Sequence, residues 1–127
     1  MSVPRILLAV PLLVAGVLIP GVTRDPPPAP AGTVGMVHEG FSVGTVEVKR
    51  GGTLTFVNDS RWLHVIGPGD HGRISSEPGA PALGPRGAFM SQAGQTYTTA
   101  AWNTPGSYRV TCSLHPEMTV TVRVTDS

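Results

Sequence analysis

The sequence predicts an all-β domain built as a two-sheet antiparallel sandwich. Apolar and polar residues alternate along several short segments, 16 Gly and 13 Pro are spread over the 127 residues, and only 13% of the residues are charged. Glycine and proline at this density interrupt helices and supply the tight turns that join strands. We therefore expect one domain with about six to eight strands.

The N-terminal segment has the features of an export signal. Arg5 precedes an apolar run that ends at Pro20, so residues 1–23 are predicted to be either a signal peptide that is cleaved or a membrane anchor that is retained. Residues 24–33 follow as a proline-rich linker. The domain is predicted over residues 34–127, outside the cytoplasm, where it is secreted, periplasmic or anchored on the outer face.

Alternating side chains predict the strands in order along the domain. Gly51-Gly52 is interpreted as the turn between strands at residues 46–49 and 53–57. From residue 67 to residue 94, Gly and Pro recur too closely for a long strand, which predicts an irregular loop with one short strand or turn at residues 88–90. The alternating positions are Val34 and Met36; Val43, Val46 and Val48; Leu54 and Phe56; Thr96, Thr98 and Ala100; Tyr108, Val110 and Cys112; and Val120, Val122 and Val124.

Cys112 is the only cysteine in the sequence. A single cysteine forms no internal disulfide and no redox-active thiol pair, and it lies too far from the leader to carry a lipid anchor. Exposed free thiols also oxidise readily outside the cell. Cys112 is therefore interpreted as an intermolecular partner, a buried free thiol or a metal ligand.

The segment between the last two predicted strands carries a metal-binding pattern. Cys112 ends one strand, Met118 opens the next, and His115 lies midway, so a thiolate, an imidazole and a thioether face one point. Soft sulfur beside imidazole selects copper that cycles between Cu(I) and Cu(II). His64 follows the strand that ends at Asn58 and is the predicted fourth ligand. Two histidines and a cysteine with a weak axial methionine form a blue-copper electron-transfer site, and the alternative for Met118 is a plain core residue.

Other histidines compete for the place of the fourth ligand. His38 and His71 lie in glycine-rich, polar surroundings and are predicted to be solvated, whereas His64 alone follows a suitable strand. Trp62 and Trp102 are predicted to pack in the core or at its edge rather than relay electrons.

The chain resembles the cupredoxins, the family of small blue-copper proteins, over about residues 34–125. The likeness rests on Gly-Gly-Thr-x-Thr-Phe-x-Asn at residues 51–58, on His64 and on residues 108–118. The Cys-x-x-His-x-x-Met loop is most similar to the amicyanin and plastocyanin-like type. The resemblance implies a Greek-key β-sandwich with one copper at one end, and a monomer that passes electrons between transiently docked redox proteins.

The resemblance also implies details around the copper. His115 would be the electron exit, with an apolar rim to which Gly67-Pro68-Gly69 contributes. Similar proteins carry Asn directly after the first histidine, where Val65 stands here. The candidates to supply the missing hydrogen bonds are Ser113, Asn58 and Ser60.

The remaining function classes are weighed against electron transfer. A formal net charge of +1 gives no indication of nucleic-acid binding. A copper oxidase needs further clustered histidines, and four scattered ones do not supply them, so no enzyme is predicted. The alternative is an extracytoplasmic copper carrier or storage protein with extra ligands, for which the candidates are Met36, His38, His71 and Met90.

Overall fold

The computed structural model describes residues 32–126. Nine strands and no helix lie in this range, so no helix in it could cross a membrane. The predicted export segment and most of the predicted linker lie outside the described residues. The strands are β1 (Thr33–Met36), β2 (Thr45–Lys49), β3 (Thr55–Asn58), β4 (His64–Asp70), β5 (Arg73–Ile74), β6 (Ala88–Met90), β7 (Thr96–Thr98), β8 (Gly106–Cys112) and β9 (His115–Thr125).

The strands form two sheets, and the predicted all-β sandwich is confirmed. The smaller sheet has the order β1-β3-β7, and the larger has the order β2-β9-β8-β4-β5, with β6 also pairing with β4. The connections cross between the sheets, as in a Greek-key sandwich. The sheets are mixed rather than purely antiparallel, because β1 pairs with β3 and β2 with β9 in parallel. After β1 the chain crosses to β2 in the larger sheet and then comes back to the smaller sheet, so β3 runs in the same direction as β1.

The core lies between the sheets and follows the predicted alternation. Leu54, Phe56 and Trp102 are fully buried, and the indole N–H of Trp102 donates a 2.9 Å hydrogen bond to the Thr99 hydroxyl. Burying a large apolar side chain contributes about 1.5 to 3 kcal/mol. The core position of Trp102 is therefore confirmed. The turn predicted at Gly51 is confirmed as well: its φ of 88° is left-handed, and it leads from β2 to β3.

The long irregular loop predicted from residue 67 is wrong over its first part. Strand β4 continues to Asp70 and returns as β5. The glycines that indicated a loop instead allow β5 to approach: a Cβ at Gly67 would lie 2.7 Å from Ile74 Cγ2, and one at Gly69 would collide with the Arg73 carbonyl oxygen. Residues 67–69 are buried and do not form the expected rim. The short strand predicted at residues 88–90 is β6.

The turn between β8 and β9 is tighter than the sequence predicts. Cys112 pairs directly with His115, after a β-bulge between Thr111 and Cys112, so only Ser113 and Leu114 separate the two strands. Strand β9 begins at His115 rather than Met118, because this bulge shifts the register and lets pairing start earlier. The β8–β9 hairpin therefore brings Cys112 and His115 together at one end of the sandwich.

Candidate metal centre

Three of the four predicted ligands meet at one end of the larger sheet. Strand β4 is antiparallel to β8, with Ile66 opposite Cys112, so the start of β4 lies beside the end of β8. His64 opens β4 two residues before Ile66, and His115 opens β9 opposite Cys112. Strand pairing alone therefore brings His64, Cys112 and His115 together.

The spacing of these three side chains fits a trigonal metal ion. The Cys112 Sγ atom lies 3.8 Å from His64 Nδ1 and 3.6 Å from His115 Nδ1. One ligand atom from each residue falls within 4.8 Å of the others. Bonds of about 2.0 to 2.3 Å to a trigonal ion separate its ligands by about 3.5 to 3.8 Å. The donor set and both sulfur–nitrogen distances therefore fit one copper ion.

The site is buried on the side of His64 and Cys112 and reaches the surface at His115. His64 and Cys112 are fully buried, whereas His115 is half-buried. Burial lowers the pKa of His64, and the imidazoles of His115 and His38 lower it further, against the opposing effect of the Val37 carbonyl. These effects favour the neutral form of His64, which has a lone pair for a metal.

Met118, the predicted axial ligand, lies in the same part of the fold. It is 1% exposed and belongs to the same buried cluster as Cys112. It immediately precedes Thr119, which pairs with Thr111 next to the cysteine. The position suits both an axial thioether and a core side chain.

Ser60 and Ser113 take different parts around the ligands. The Ser60 Oγ atom lies 3.1 Å from His64 Nε2, and its hydroxyl also bonds Asn58 at 2.7 Å. Ser113 acts through its main chain, which donates a 2.9 Å hydrogen bond to the carbonyl oxygen of Val65. The two ligand-bearing segments are thus connected at Val65 by backbone atoms.

Thr111 is a supporting residue that the sequence pattern does not reveal. Alternation with Val110 and Cys112 predicts an outward side chain, yet Thr111 is fully buried. Its hydroxyl donates a 2.8 Å hydrogen bond to the Met118 carbonyl and accepts a 2.9 Å hydrogen bond from the Gly72 N–H. The β4–β5 turn covers this outer face and accounts for the burial.

The competing histidines lie outside the three-residue cluster. His71 is 83% exposed at the β4–β5 turn and contacts Asp70. His38 is exposed too, but its ring stacks on Trp62 with centroids 4.0 Å apart and meets the His115 ring edge-on at 5.5 Å. Of the two positions predicted for Trp62, the core is excluded: the residue is 50% exposed and packs at the edge, against His38. No sequence pattern connects His38 with Trp62.

No model of a known protein family and no curated protein matches the sequence, but solved structures of amicyanin match the fold. Amicyanin from Paracoccus versutus (Thiobacillus versutus) is 30% identical, with a TM-score of 0.57 over 76% of this chain and 83% of that one. A reduced Cu(I) form of an amicyanin mutant is 24% identical, with a TM-score of 0.58 over 74% and 81%. An oxidised mutant is 23% identical, with a TM-score of 0.57 over 76% and 83%. The chain belongs to the cupredoxin family.

Proposed function

We propose that the protein is a mononuclear blue-copper electron carrier, with His64, Cys112, His115 and Met118 as the copper ligands. The observation that carries this proposal is the position of the Cys112 sulfur within 3.8 Å of a ring nitrogen of both histidines. The amicyanin structures that the chain resembles include oxidised and reduced Cu(I) forms, which supports copper as the metal.

The bound copper supplies a one-electron couple, and the protein supplies a fixed frame for it. Fast electron transfer needs a geometry that both oxidation states tolerate, so the ligands must be held by the fold. Cys112 and His115 face each other across a tight hairpin, and His64 lies on the neighbouring strand. Pro116 removes a backbone donor and restricts the conformation of His115. This frame holds the ligands in one arrangement and limits their movement.

His115 is the proposed route for the electron. Its half-buried ring joins the buried sulfur of Cys112 to the protein surface. Large apolar side chains are exposed in the described chain, and two of them lie near His115: Leu114 precedes it, and Trp62 stacks on the His38 ring that meets it edge-on. They give transient redox partners apolar contacts to dock on, and the full set is Val37, Trp62, Leu63, Phe89 and Leu114. We propose that a monomer exchanges electrons with a donor and an acceptor protein in this way.

The alternative function, a copper carrier or storage protein, has less support. Met36 and Met90, two of the extra ligands that it would use, are fully buried in the core, and His71 is a surface residue paired with Asp70. Within residues 32–126, one group of three or more His, Cys, Asp or Glu side chains is close enough to hold an ion, and it consists of His64, Cys112 and His115. A single group in which two of the three residues are fully buried suits an ion that stays in place.

The location of the protein is also part of the proposal. We infer from the sequence that residues 1–23 direct export, that residues 24–33 form a linker and that residues 34–127 act outside the cytoplasm. Cell fractionation tests this inference. Recovery of the protein in the cytosol would contradict it.

The proposed copper site is tested by the colour and metal content of the purified protein. We expect one copper per chain and an intense blue band on oxidation, because the Cys112 thiolate donates charge to Cu(II). Cys112→Ser should abolish the band, while His71→Ala, at the exposed β4–β5 turn, should keep it. A colourless copper-loaded wild type, or a band that survives in the serine variant, contradicts the proposal.

A further inference from the structure

The side-chain amide of Asn58 is held in one orientation by four hydrogen bonds. Its Nδ2 group donates to the carbonyl oxygens of Trp62 at 2.9 Å and Met90 at 3.0 Å. Its Oδ1 atom accepts from the Ser60 N–H at 3.0 Å. Carbonyl groups only accept and a backbone N–H only donates, so a flipped amide would oppose all three partners. Oδ1 of the fully buried Asn58 therefore faces Ser60.

This orientation fixes the proton of the Ser60 hydroxyl. The Ser60 Oγ atom lies 2.7 Å from Asn58 Oδ1, which only accepts, so the hydroxyl donates its single proton there. One Ser60 lone pair accepts the Trp62 N–H at 3.1 Å. The remaining lone pair faces His64 Nε2, also at 3.1 Å. Ser60 has no proton left for His64, so His64 must be the donor.

We propose that Asn58 and Ser60 are positioning residues that hold His64 as its Nε2–H tautomer and so direct its Nδ1 lone pair toward Cys112. A neutral imidazole carries one proton, so a proton on Nε2 leaves Nδ1 bare. Nδ1 is the nitrogen that lies 3.8 Å from the Cys112 sulfur. The relay runs from Asn58 through Ser60 to His64 and prepares the ring before any metal arrives.

The consequence for copper rests on the function proposed above. The unbound nitrogen of a metal-ligating histidine ordinarily donates to a fixed acceptor, which sets the ring orientation and tunes the metal. In this chain the side chain of Ser60 takes that place, with Asn58 behind it. Loss of the Ser60 hydroxyl should therefore act directly on the tautomer and orientation of the His64 ring, and on the copper only through that ring.

The direct test is the tautomer of His64 in the metal-free protein, read from the nitrogen-15 shifts of its ring at a pH above about 8, where histidine is neutral. We expect the Nε2–H form in the wild type. Ser60→Ala should lower the ratio of Nε2–H to Nδ1–H by about fivefold to tenfold, the effect of one hydrogen bond. Ser60→Thr keeps a hydroxyl and should restore the ratio. Ser107→Ala, an exposed serine at the opposite end of β8 from Cys112, is the matched control and should leave it unchanged.

Two outcomes of the tautomer measurement overturn the proposal. One is an Nδ1–H tautomer in the wild type, and the other is an unchanged ratio in folded Ser60→Ala, which would mean that Ser60 does not set the tautomer. Because these spectra need no metal, a failure to bind copper would contradict the proposed function and leave this result standing. In copper-loaded protein, Ser60→Ala should shift the reduction potential and Ser107→Ala should not. A potential that moves equally in both variants also counts against the relay.

Discussion

The hydroxyl of Thr111 donates a 2.8 Å hydrogen bond to the carbonyl oxygen of Met118. The same hydroxyl accepts the N–H of Gly72 at 2.9 Å, and a Cβ on Gly72 would lie 3.1 Å from Pro116. One buried side chain thus ties the end of β8 to β9 and to the β4–β5 turn. The hairpin that carries Cys112 and His115 is therefore supported from the side opposite the core.

Thr111→Val tests this support. The substitution keeps the shape of the side chain but leaves the Met118 carbonyl and the Gly72 N–H without their partner. We expect the free energy of unfolding to fall by about 1 to 3 kcal/mol, the usual effect of unpaired buried polar groups. Urea unfolding of the metal-free protein measures this change.

Thr119→Val is the matched control for this prediction. The Thr119 hydroxyl lies 3.4 Å from that of Thr111, and the residue is half-buried. We expect it to change the free energy of unfolding by less than about 0.5 kcal/mol. Equal losses in the two variants would mean that the bond between Thr111 and Met118 contributes no particular support.

Single substitutions of three histidines test the choice of His64. His64→Ala should remove the blue copper band, because it takes away a buried ring nitrogen 3.8 Å from the Cys112 sulfur. His71→Ala and His38→Ala should keep the band, since both side chains lie outside the cluster. Visible absorbance of the copper-loaded variants decides the matter. Loss of the band in His38→Ala would mean that His64 is the wrong choice and that His38 is the ligand.

Much of the architecture could be predicted because it depends on local patterns. Alternation along the valines of β9 identifies a strand with one buried face, and Gly51 identifies the turn into β3. The spacing of Cys112 and His115 predicts their proximity because both lie in a short connection. The pattern identifies His64 for the wrong reason, because strand β3, which precedes it, lies in the smaller sheet, whereas β4, which His64 opens, is the strand that pairs with β8.

The rest depends on contacts between distant segments, which no local pattern encodes. Gly67 and Gly69 resemble loop residues, yet they serve a strand that another strand approaches closely. Thr111 resembles an outward residue until the β4–β5 turn covers it. The stack of His38 on Trp62 brings together two exposed loops. Each of these features is decided by packing partners rather than by neighbours in sequence.

Met118→Leu separates an axial ligand from a core side chain. The two side chains have similar volumes, so the fold should survive at a cost below about 1.5 kcal/mol. If Met118 is the weak axial donor, its removal disfavours Cu(II) more than Cu(I), and the reduction potential should rise while copper stays bound. Voltammetry of wild type and variant measures the potential. An unchanged potential would mean that Met118 is a core residue.

Copper retention during reduction separates electron carriage from copper carriage. An electron carrier must hold the ion in both oxidation states, because losing it on reduction would end the cycle. His64 and Cys112 are fully buried, and the tight turn between Cys112 and His115 leaves little freedom to open toward a partner. We therefore expect the reduced protein to keep its copper against a moderate Cu(I) chelator and to exchange electrons rapidly with a small exported cytochrome. Chelator competition and stopped-flow reoxidation measure the two properties separately. Rapid loss of Cu(I) together with slow electron exchange would favour the copper-carrier function.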